Sequence, residues 1–235
     1  MSNLIIFEHC LVIHNLYPIP MKAKILLPVI SFFLLVASCT NSSDKKAADQ
    51  SSESNVTSTD WQSRYDKIEA SDLPDNVIQL IGKEWMLVTA GTKNSYNTMT
   101  ASWGGIGYIW ERPSTFIFIR DTRYTYQFLQ REESFTLSFF DEKYRNALRI
   151  CGTRSGRDTN KIEEAGLSPL ETPSGLMSFG EARMIIECKK MFVQELDYAN
   201  LTEPYKTKVM EESYKNESSK HQMFISEITN IWVKK

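Results

Sequence analysis

Residues 97–105 read NTMTASWGG, and this stretch gives the first indication of both the fold and the site. Hydroxyl side chains alternate with other side chains, which is typical of a β-strand with one polar face. The strand is expected to end at Trp103, and the paired glycines Gly104 and Gly105 would let the backbone approach a ring-shaped ligand closely. On its own, the stretch is more typical of an ordinary strand and turn than of a ligand site.

A second motif, RDTRYT at residues 120–125, predicts a phosphate site at the start of a helix. The helix is expected to begin at Asp121 or Thr122. Two arginines at such a position oppose the helix dipole unless an anion lies between them. Amides, hydroxyls and guanidiniums together bind phosphate well, and the motif supplies the side chains of Arg120, Thr122, Arg123 and Thr125. The alternative is a solvated turn in which Asp121 pairs with Arg123.

A third motif, RSGRDTNK at residues 154–161, repeats this combination of positive charge and a helix start. Ser155 and Gly156 form a flexible turn with free amides, which can bind an anion. Asp158 is expected to cap a short helix that runs to Ala165. The alternative is an exposed charged loop with no ligand.

Strand-forming segments dominate the rest of the folded region. We expect strands over residues 85–90, 97–103, 114–119 and 134–140, and further strands within 183–196 and 222–233. Helices are fewer: a helical turn at 76–81, the two helices described above, and one that begins at Asp141 and stops at Gly152. At least six strands with short connections predict a mainly β (α+β) protein built on a closed antiparallel barrel.

Together, the three motifs and the alternating strand FTLSFF at residues 135–140 resemble the flavin reductase-like, FMN-binding family. Its relatives include flavoredoxin-type proteins, and its fold is a split β-barrel with a few short flanking helices. The resemblance covers about residues 75–233. It implies a homodimer with FMN bound near the subunit interface, and it favours the phosphate interpretation of both basic motifs.

The resemblance also assigns individual residues to the cofactor. The flavin ring and ribityl chain would contact Thr98, Met99, Thr100, Ala101, Ser102 and Trp103, with the backbone amides of Ala101 and Ser102 as the main partners of ring atoms. The phosphate would contact Arg120, Thr122, Arg123, Tyr124 and Thr125. Ser155, Arg157 and Lys161 would reinforce it, from the same or the neighbouring subunit. His221 either contacts the flavin or is an ordinary strand residue.

The N-terminal part predicts a lipoprotein. A basic start at Met21 precedes 13 apolar residues, 25–37, which are too few to span a membrane and are typical of a signal peptide. The sequence VASC at 36–39 resembles a bacterial lipobox and predicts lipidation of Cys39. The alternative is a plain signal peptide with a chance cysteine.

Four segments follow from this interpretation. Residues 1–20 are explained by a start codon that is assigned too early, and residues 21–38 are the signal peptide. Residues 39–60 contain the lipidated cysteine and a polar, flexible tether, and residues 61–235 form the folded domain. A lipid anchor would hold the domain on a bacterial membrane, facing the periplasm or the exterior.

Composition and motifs exclude several other classes. Lys+Arg 27 against Asp+Glu 29 gives a net charge of −2, which offers no bulk attraction for nucleic acid. His221 would be the single histidine of the mature chain, so a multi-histidine metal site is excluded. Cys151 and Cys188 either form a disulfide or are separate buried thiols, and we assign them no chemistry.

The sequence therefore predicts an FMN-binding redox protein that transfers hydride or electrons through the bound cofactor. The electron donor is either NAD(P)H or a redox partner. Reduced nicotinamides are not normally supplied outside the cytoplasm, and no G-x-G-x-x-G motif is present to bind one tightly. The alternative is a non-catalytic, membrane-anchored lipoprotein that binds a flavin or a partner.

Overall fold

The structure of the chain, a computed structural model, describes residues 58–215 and 219–235. The predicted signal peptide, Cys39 and nearly all of the predicted tether lie outside these residues. Within the described part of the chain, no helix is both long and apolar enough to cross a membrane.

The described residues form a mainly antiparallel β structure with short helices, as the sequence predicts. The strands are β1 Tyr65–Ile68, β2 Met86–Thr92, β3 Ser95–Ala101, β4 Gly104–Ile109, β5 Arg112–Arg120, β6 Ser134–Phe139, β7 Pro169–Glu171, β8 Met177–Phe179, β9 Met184–Glu195 and β10 His221–Lys234. The α-helices are α1 Ser58–Arg64, α2 Val77–Gln79, α3 Tyr124–Arg131, α4 Arg145–Thr153, α5 Lys161–Glu164 and α6 Tyr205–Lys208. Short 3₁₀ or π segments are Ala70–Asp72, Leu80–Glu84, Glu142–Tyr144, Tyr198–Asn200 and Val209–Ser213.

Eight strands make one sheet in the order β3-β2-β6-β9-β10-β5-β4, with β1 also paired to β10. β3 and β4 lie at opposite ends of this order, yet only Ser102 and Trp103 separate them in sequence. The two edges of the sheet are therefore brought together at these two residues, which is the split of a split barrel. A Cβ atom on Gly104 would lie 2.5 Å from the carbonyl oxygen of Phe116, so this glycine lets β4 approach β5.

Strand β6 illustrates how the sheet is buried on both faces. Phe135, Leu137 and Phe139 belong to the main core cluster, as their alternation predicts. Thr136 and Ser138 on the opposite face are also fully buried. Their hydroxyls are satisfied by β8, since Thr136 donates to the carbonyl oxygen of Met177 and Ser138 bonds the hydroxyl of Ser178. The hairpin β7–β8 thus covers the polar face of a central strand.

Helix α1 fixes the start of the folded region to the end of the last strand. Trp61 is buried, stacks on Tyr65 at 4.7 Å and meets Trp232 edge-on at 5.5 Å. Tyr65 pairs with Lys234 in the sheet register. The chain therefore enters the domain at the opposite end of β10 from His221.

The predicted helix starts need correction. The second motif begins its helix at Tyr124, later than Asp121 or Thr122, because residues 120–123 close a turn through the Arg123 amide and the Arg120 carbonyl, 3.1 Å apart. Asp158 lies in another turn and does not cap a helix. The cap of α5 is Asn160, whose side chain accepts from the amide of Glu163.

Four strands were not predicted: β1, β4, β7 and β8. Strand β4 carries three glycines in six residues, which gives it little intrinsic β propensity. Pairing of the whole of β4 with β5, from Gly104 with Ile117 to Ile109 with Arg112, overrides that weakness. Strands β7 and β8 have three residues each, which are too few to show a periodic pattern.

Candidate functional site

A cationic pocket opens between β3, the start of α3 and the loop that follows α4. Its volume is about 140 Å³. Four cationic side chains and four threonine or serine hydroxyls line it, and none of the lining residues carries a carboxylate. The lining residues are Met99, Thr122, Arg123, Tyr124, Thr125, Cys151, Thr153, Arg154, Ser155, Arg157 and Lys161. The pocket therefore joins the second and third sequence motifs around a space that suits an anion.

Lys161 is the buried charge of this pocket. Its residue exposure is 4%, and its ammonium donates to the carbonyl oxygens of Cys151 and Arg154, each at 3.3 Å. It forms no ion pair with a described residue. Burial lowers the pKa of Lys161, and the positive charge of Arg123 lowers it further. A buried ammonium with only carbonyl partners is stabilised by an anion in the pocket.

Arg123 is fixed at the pocket by α4. One of its guanidinium nitrogens donates to the carbonyl oxygen of Gly152 at 3.0 Å, near the end of that helix. Burial and then Arg120 lower the pKa of Arg123. Among the described residues, Asp121 makes no ion pair with Arg123, so the pairing that the solvated-turn alternative assumes is not found.

Two further arginines stand at the edge of the pocket. The guanidinium of Arg157 lies 4.7 Å from the ring centroid of Tyr124. Arg154 meets Glu164 at 3.7 Å, but its side chain is 64% exposed, so this pair contributes little. The positive charge at the edge of the pocket is therefore only weakly neutralised by the protein itself.

Gly156 holds the third motif against strand β3. A Cβ atom at this position would lie 2.1 Å from the side-chain oxygen of Asn97. Asn97 is buried, and its amide donates to the hydroxyl of Thr125 at 2.7 Å. Gly156 is therefore needed for close contact within the protein, and the three sequence motifs meet at this point.

Arg120 points away from the pocket. It donates to the carbonyl oxygen of Ser213 at 2.8 Å, and its guanidinium lies 5.5 Å from the ring centroid of Tyr214. The resemblance assigns Arg120 to the phosphate, but it is not among the pocket-lining residues. The turn between Arg120 and Arg123 directs the two side chains to different partners.

Beyond Arg120 lies an aromatic cluster, formed by Trp103, Tyr198, Tyr214 and His221. The ring centroids of Trp103 and His221 are 5.0 Å apart, and those of Tyr214 and His221 are 5.3 Å apart. Tyr198 and Tyr214 lie 4.4 Å apart. Trp103 is 42% exposed, so it offers a ring surface at the edge of this cluster.

His221 is a neutral imidazole in this cluster. Its residue exposure is 6%, and its Nδ1 atom is buried without a hydrogen-bond partner among the described residues. Burial, followed by the charges of Arg120 and Arg123, lowers the pKa of His221 to about 4, while Asp121 acts in the opposite direction.

The hydroxyls of β3 are used within the protein. The hydroxyl of Thr98, which is fully buried, bonds that of Thr89 at 2.9 Å and reaches the carbonyl oxygen of Val88 at 3.3 Å. Thr100 donates to the carbonyl oxygen of Leu148 in α4. The polar face of β3 therefore packs against β2 and α4, and the hydroxyls of these two threonines are bonded within the protein.

The predicted site residues thus fall into separate groups. The pocket brings together Met99, Thr122, Arg123, Tyr124, Thr125, Ser155, Arg157 and Lys161. The aromatic cluster contains Trp103 and His221, and Arg120 lies against the Tyr214 ring of this cluster. Thr98, Thr100 and Ala101 lie inside the fold, and Ser102 is half-buried at the barrel split.

Sequence reasoning missed several residues of the site. Thr153 and Arg154 directly precede the third motif and could have been included with it. Tyr198 and Tyr214 lie in a polar connection without a recognisable pattern. Cys151 and Cys188 are both free, and burial raises their pKa values to about 11 and about 12, which makes them unreactive thiols.

Fold and pocket together define a split-barrel protein with a candidate anion site at the barrel opening. The family described as "Flavin reductase like domain" matches residues 79–235, and the chain therefore belongs to that family. The family predicted from the three motifs is confirmed. No curated protein matches the chain.

Solved structures with the same fold come from several bacteria. The FMN-binding domain of a flavin reductases-like enzyme from Shewanella baltica is 17% identical, with a TM-score of 0.51 over 72% of this chain and 76% of that chain. The flavoredoxin of Desulfovibrio vulgaris (Miyazaki F) is 25% identical, with a TM-score of 0.48 over 63% and 68%. An NADH:FAD oxidoreductase of Streptomyces globisporus is 15% identical, with a TM-score of 0.47 over 63% and 74%. The first of these supports the split-barrel assignment.

The packing of Gly156 against Asn97 gives a direct test of the pocket. We expect inorganic phosphate to raise the melting temperature of the protein, and Gly156→Ala to weaken phosphate binding by about tenfold or more, because the added methyl group displaces the loop. Gly82→Ala is the control, since its Cβ would meet no atom within 4 Å. Equal phosphate affinities in the two variants would contradict this account of the pocket.

Proposed function

We propose that this chain binds FMN, with the phosphate in the cationic pocket and the ring beside Trp103, and that it transfers hydride or electrons through the cofactor. The observation that carries the proposal is a pocket with four cations, one of them buried, and no lining carboxylate. Family membership supports it, as do relatives described as an FMN-binding domain and a flavoredoxin.

The donors of the pocket fit a phosphate monoester. Such a group carries roughly −1.5 to −2 charges at neutral pH, concentrated on one phosphorus atom. Lys161 supplies a buried positive charge, and Arg123 supplies an exposed one. Thr125 accepts a hydrogen bond from Asn97, so its own hydroxyl hydrogen is free to donate to an anion. A monoester fits this arrangement better than the two singly charged phosphates of a diester, which favours FMN over FAD.

The remaining residues would orient the ring and control its surroundings. When bound, FMN supplies a ring that accepts and releases hydride or single electrons. Trp103 offers a partly exposed aromatic face, and the neutral imidazole of His221 has a nitrogen available for a hydrogen bond. The hydroxyl of Thr100 joins β3 to helix α4 behind the pocket, and that of Thr98 joins β3 to β2.

The electron donor is either NAD(P)H or a redox partner. A relative described as an NADH:FAD oxidoreductase favours the nicotinamide. The proposed location outside the cytoplasm favours a redox partner. Anaerobic addition of NADH or NADPH to the FMN-loaded protein separates the two, because only a nicotinamide-accepting site bleaches the flavin absorbance.

Arg123→Ala tests the phosphate assignment. Loss of a charge-assisted contact should cost roughly 1.5–3 kcal/mol, which is about one to two decades in FMN affinity. The matched control is Arg131→Ala at the other end of α3, where the guanidinium lies 4.5 Å from the Phe128 ring and outside the pocket lining. FMN affinity can be measured by quenching of flavin fluorescence.

Two outcomes would change the interpretation. Equal effects of the two substitutions would remove the phosphate assignment. A wild-type protein that binds no FMN would favour the alternative, a non-catalytic lipoprotein that uses this fold to bind a partner.

We also propose that the chain forms a homodimer through the outer face of β9, β10, β5 and β4. Phe116, paired with Ile225, belongs to neither core cluster, and Gly105 and Gly107 leave no β4 side chain over its ring. Phe192 is 38% exposed and meets Trp110 at 6.2 Å. Trp110 has a φ of 50°, an unfavourable conformation for tryptophan, and is still 55% exposed. An exposed aromatic surface of this kind is typical of an interface.

Phe192→Asp tests this interface. A charge at a half-exposed position should leave the fold intact but should oppose apolar association, so the variant should elute as a monomer in gel filtration with light scattering. Gln127→Asp, on the exposed side of α3, should leave the dimer unchanged. A monomeric wild-type protein at micromolar concentration would contradict the proposal.

We further propose that the mature chain is lipid-anchored at Cys39 and faces the periplasm or the cell exterior. Its support is the basic start, the short apolar stretch and the small residues before the cysteine. Cys39→Ser should therefore move the protein from the membrane fraction to the soluble fraction in its native host. Cys10 lies in residues that we expect to be untranslated, so Cys10→Ser should leave the protein in the membrane fraction. A wild-type protein found in the soluble fraction would overturn the anchor.

A further inference from the structure

Residues 197–214, here called the strap, connect β9 to β10 and are mostly exposed. The helical segments Tyr198–Asn200, Tyr205–Lys208 and Val209–Ser213 contain no buried residue. The strap has one buried side chain, that of Tyr214, which is 3% exposed. The strap is therefore held to the barrel mainly at its two ends, by Tyr198 and Tyr214.

Tyr214 inserts its ring into the aromatic cluster. Its ring centroid lies 5.3 Å from that of His221 and 6.3 Å from that of Trp103, both edge-on. The guanidinium of Arg120 lies 5.5 Å from the same ring. A planar side chain thus fills the space between a cation, an imidazole and an indole.

Arg120 fastens this end of the strap. It donates to the carbonyl oxygen of Ser213 at 2.8 Å, directly before Tyr214. In the sheet, Arg120 on β5 is paired with His221 on β10. One side chain of the barrel wall therefore contacts the strap beside the imidazole that the strap covers.

With the strap in place, His221 has a ring nitrogen without a hydrogen-bond partner among the described residues. Its backbone amide donates to the hydroxyl of Tyr198 at 2.9 Å, but Nδ1 is buried without a partner among the described residues. A buried nitrogen without a partner is unfavourable. An incoming group that bonds Nδ1 would therefore gain from displacing the tyrosine ring.

We propose that Tyr214 is a releasable plug. In the closed state the strap covers His221 and one side of Trp103, and displacement of the plug opens this space to a planar ring of the electron donor or acceptor. The identity of that ring rests on the proposed function, whereas the plug itself does not. The strap would thus control access to the redox site at the aromatic cluster.

The test compares two tyrosines of the same strap in the full chain, without added flavin. Tyr214→Ala removes the plug, and Tyr205→Ala removes a ring that is 64% exposed. The pKa of the His221 imidazole is followed by NMR, with its signal identified by its absence in His221→Gln. The rate of trypsin cleavage at Lys206 and Lys208 reports how often the strap opens.

Tyr214→Ala should admit water to His221 and raise its pKa from about 4 towards 6.5. Burial is the main cause of the low pKa, so the change should be large, although Arg120 and Arg123 still oppose protonation and Asp121 favours it. Cleavage of the strap should be several-fold faster. Tyr205→Ala should leave both measurements at their wild-type values.

Unchanged pKa and cleavage in Tyr214→Ala, or equal changes in both variants, would overturn the plug. If Tyr214→Ala does not fold, Arg120→Gln takes its place, because this variant keeps the Tyr214 ring and removes the contact with Ser213. Cleavage of the strap should then be faster than in the wild type. An unchanged cleavage rate would overturn the proposal. Since no flavin is added, a failure of FMN binding and a failure of the plug are observed separately.

Discussion

The hydrogen bond between the amide of Arg123 and the carbonyl of Arg120, 3.1 Å long, closes the turn on which both halves of the site depend. The turn ends β5, begins the approach to α3, and directs two neighbouring guanidiniums to different partners. Arg123 reaches the end of α4 at the pocket. Arg120 reaches the strap at Ser213. The anion pocket and the aromatic cluster are therefore held side by side by four residues of backbone.

The charges that line the pocket favour an anionic ligand. The chain as a whole has a net charge of −2, yet four cations without a lining carboxylate converge at one opening. Burial of Lys161 and its closeness to Arg123 make this arrangement unfavourable for an empty site, since like charges repel and an ammonium out of water is destabilised. An anionic ligand reverses both effects. The same reasoning explains why His221, next to the arginines, stays neutral.

Buried polar groups hold the walls of the site. Thr98 and Thr100 connect β3 to β2 and α4, and Asn97 connects it to the start of α3. On the far side of the sheet, the fully buried Glu187 accepts hydrogen bonds from Asn230 at 2.7 Å and from Trp232 at 3.0 Å, next to an irregularity in the pairing of β9 with β10. Among the described residues, the buried side-chain polar atoms without a partner are Nδ1 of His221, Nε1 of Trp61 and Oγ of Ser226, and of these only Nδ1 of His221 belongs to the aromatic cluster.

The sequence by itself determined the family, the antiparallel strands, the inward face of β6 and the two basic motifs that line the pocket, since these follow from residue types at fixed local spacing. Only the tertiary structure decided that Arg120 leaves the pocket, that the hydroxyls of β3 face the protein and that Tyr214 covers His221. The physical reason is that a side chain's direction depends on the turn that carries it and on which distant element packs against it. A strap between β9 and β10 that contacts the site through one ring leaves no periodic signal for sequence reasoning to detect.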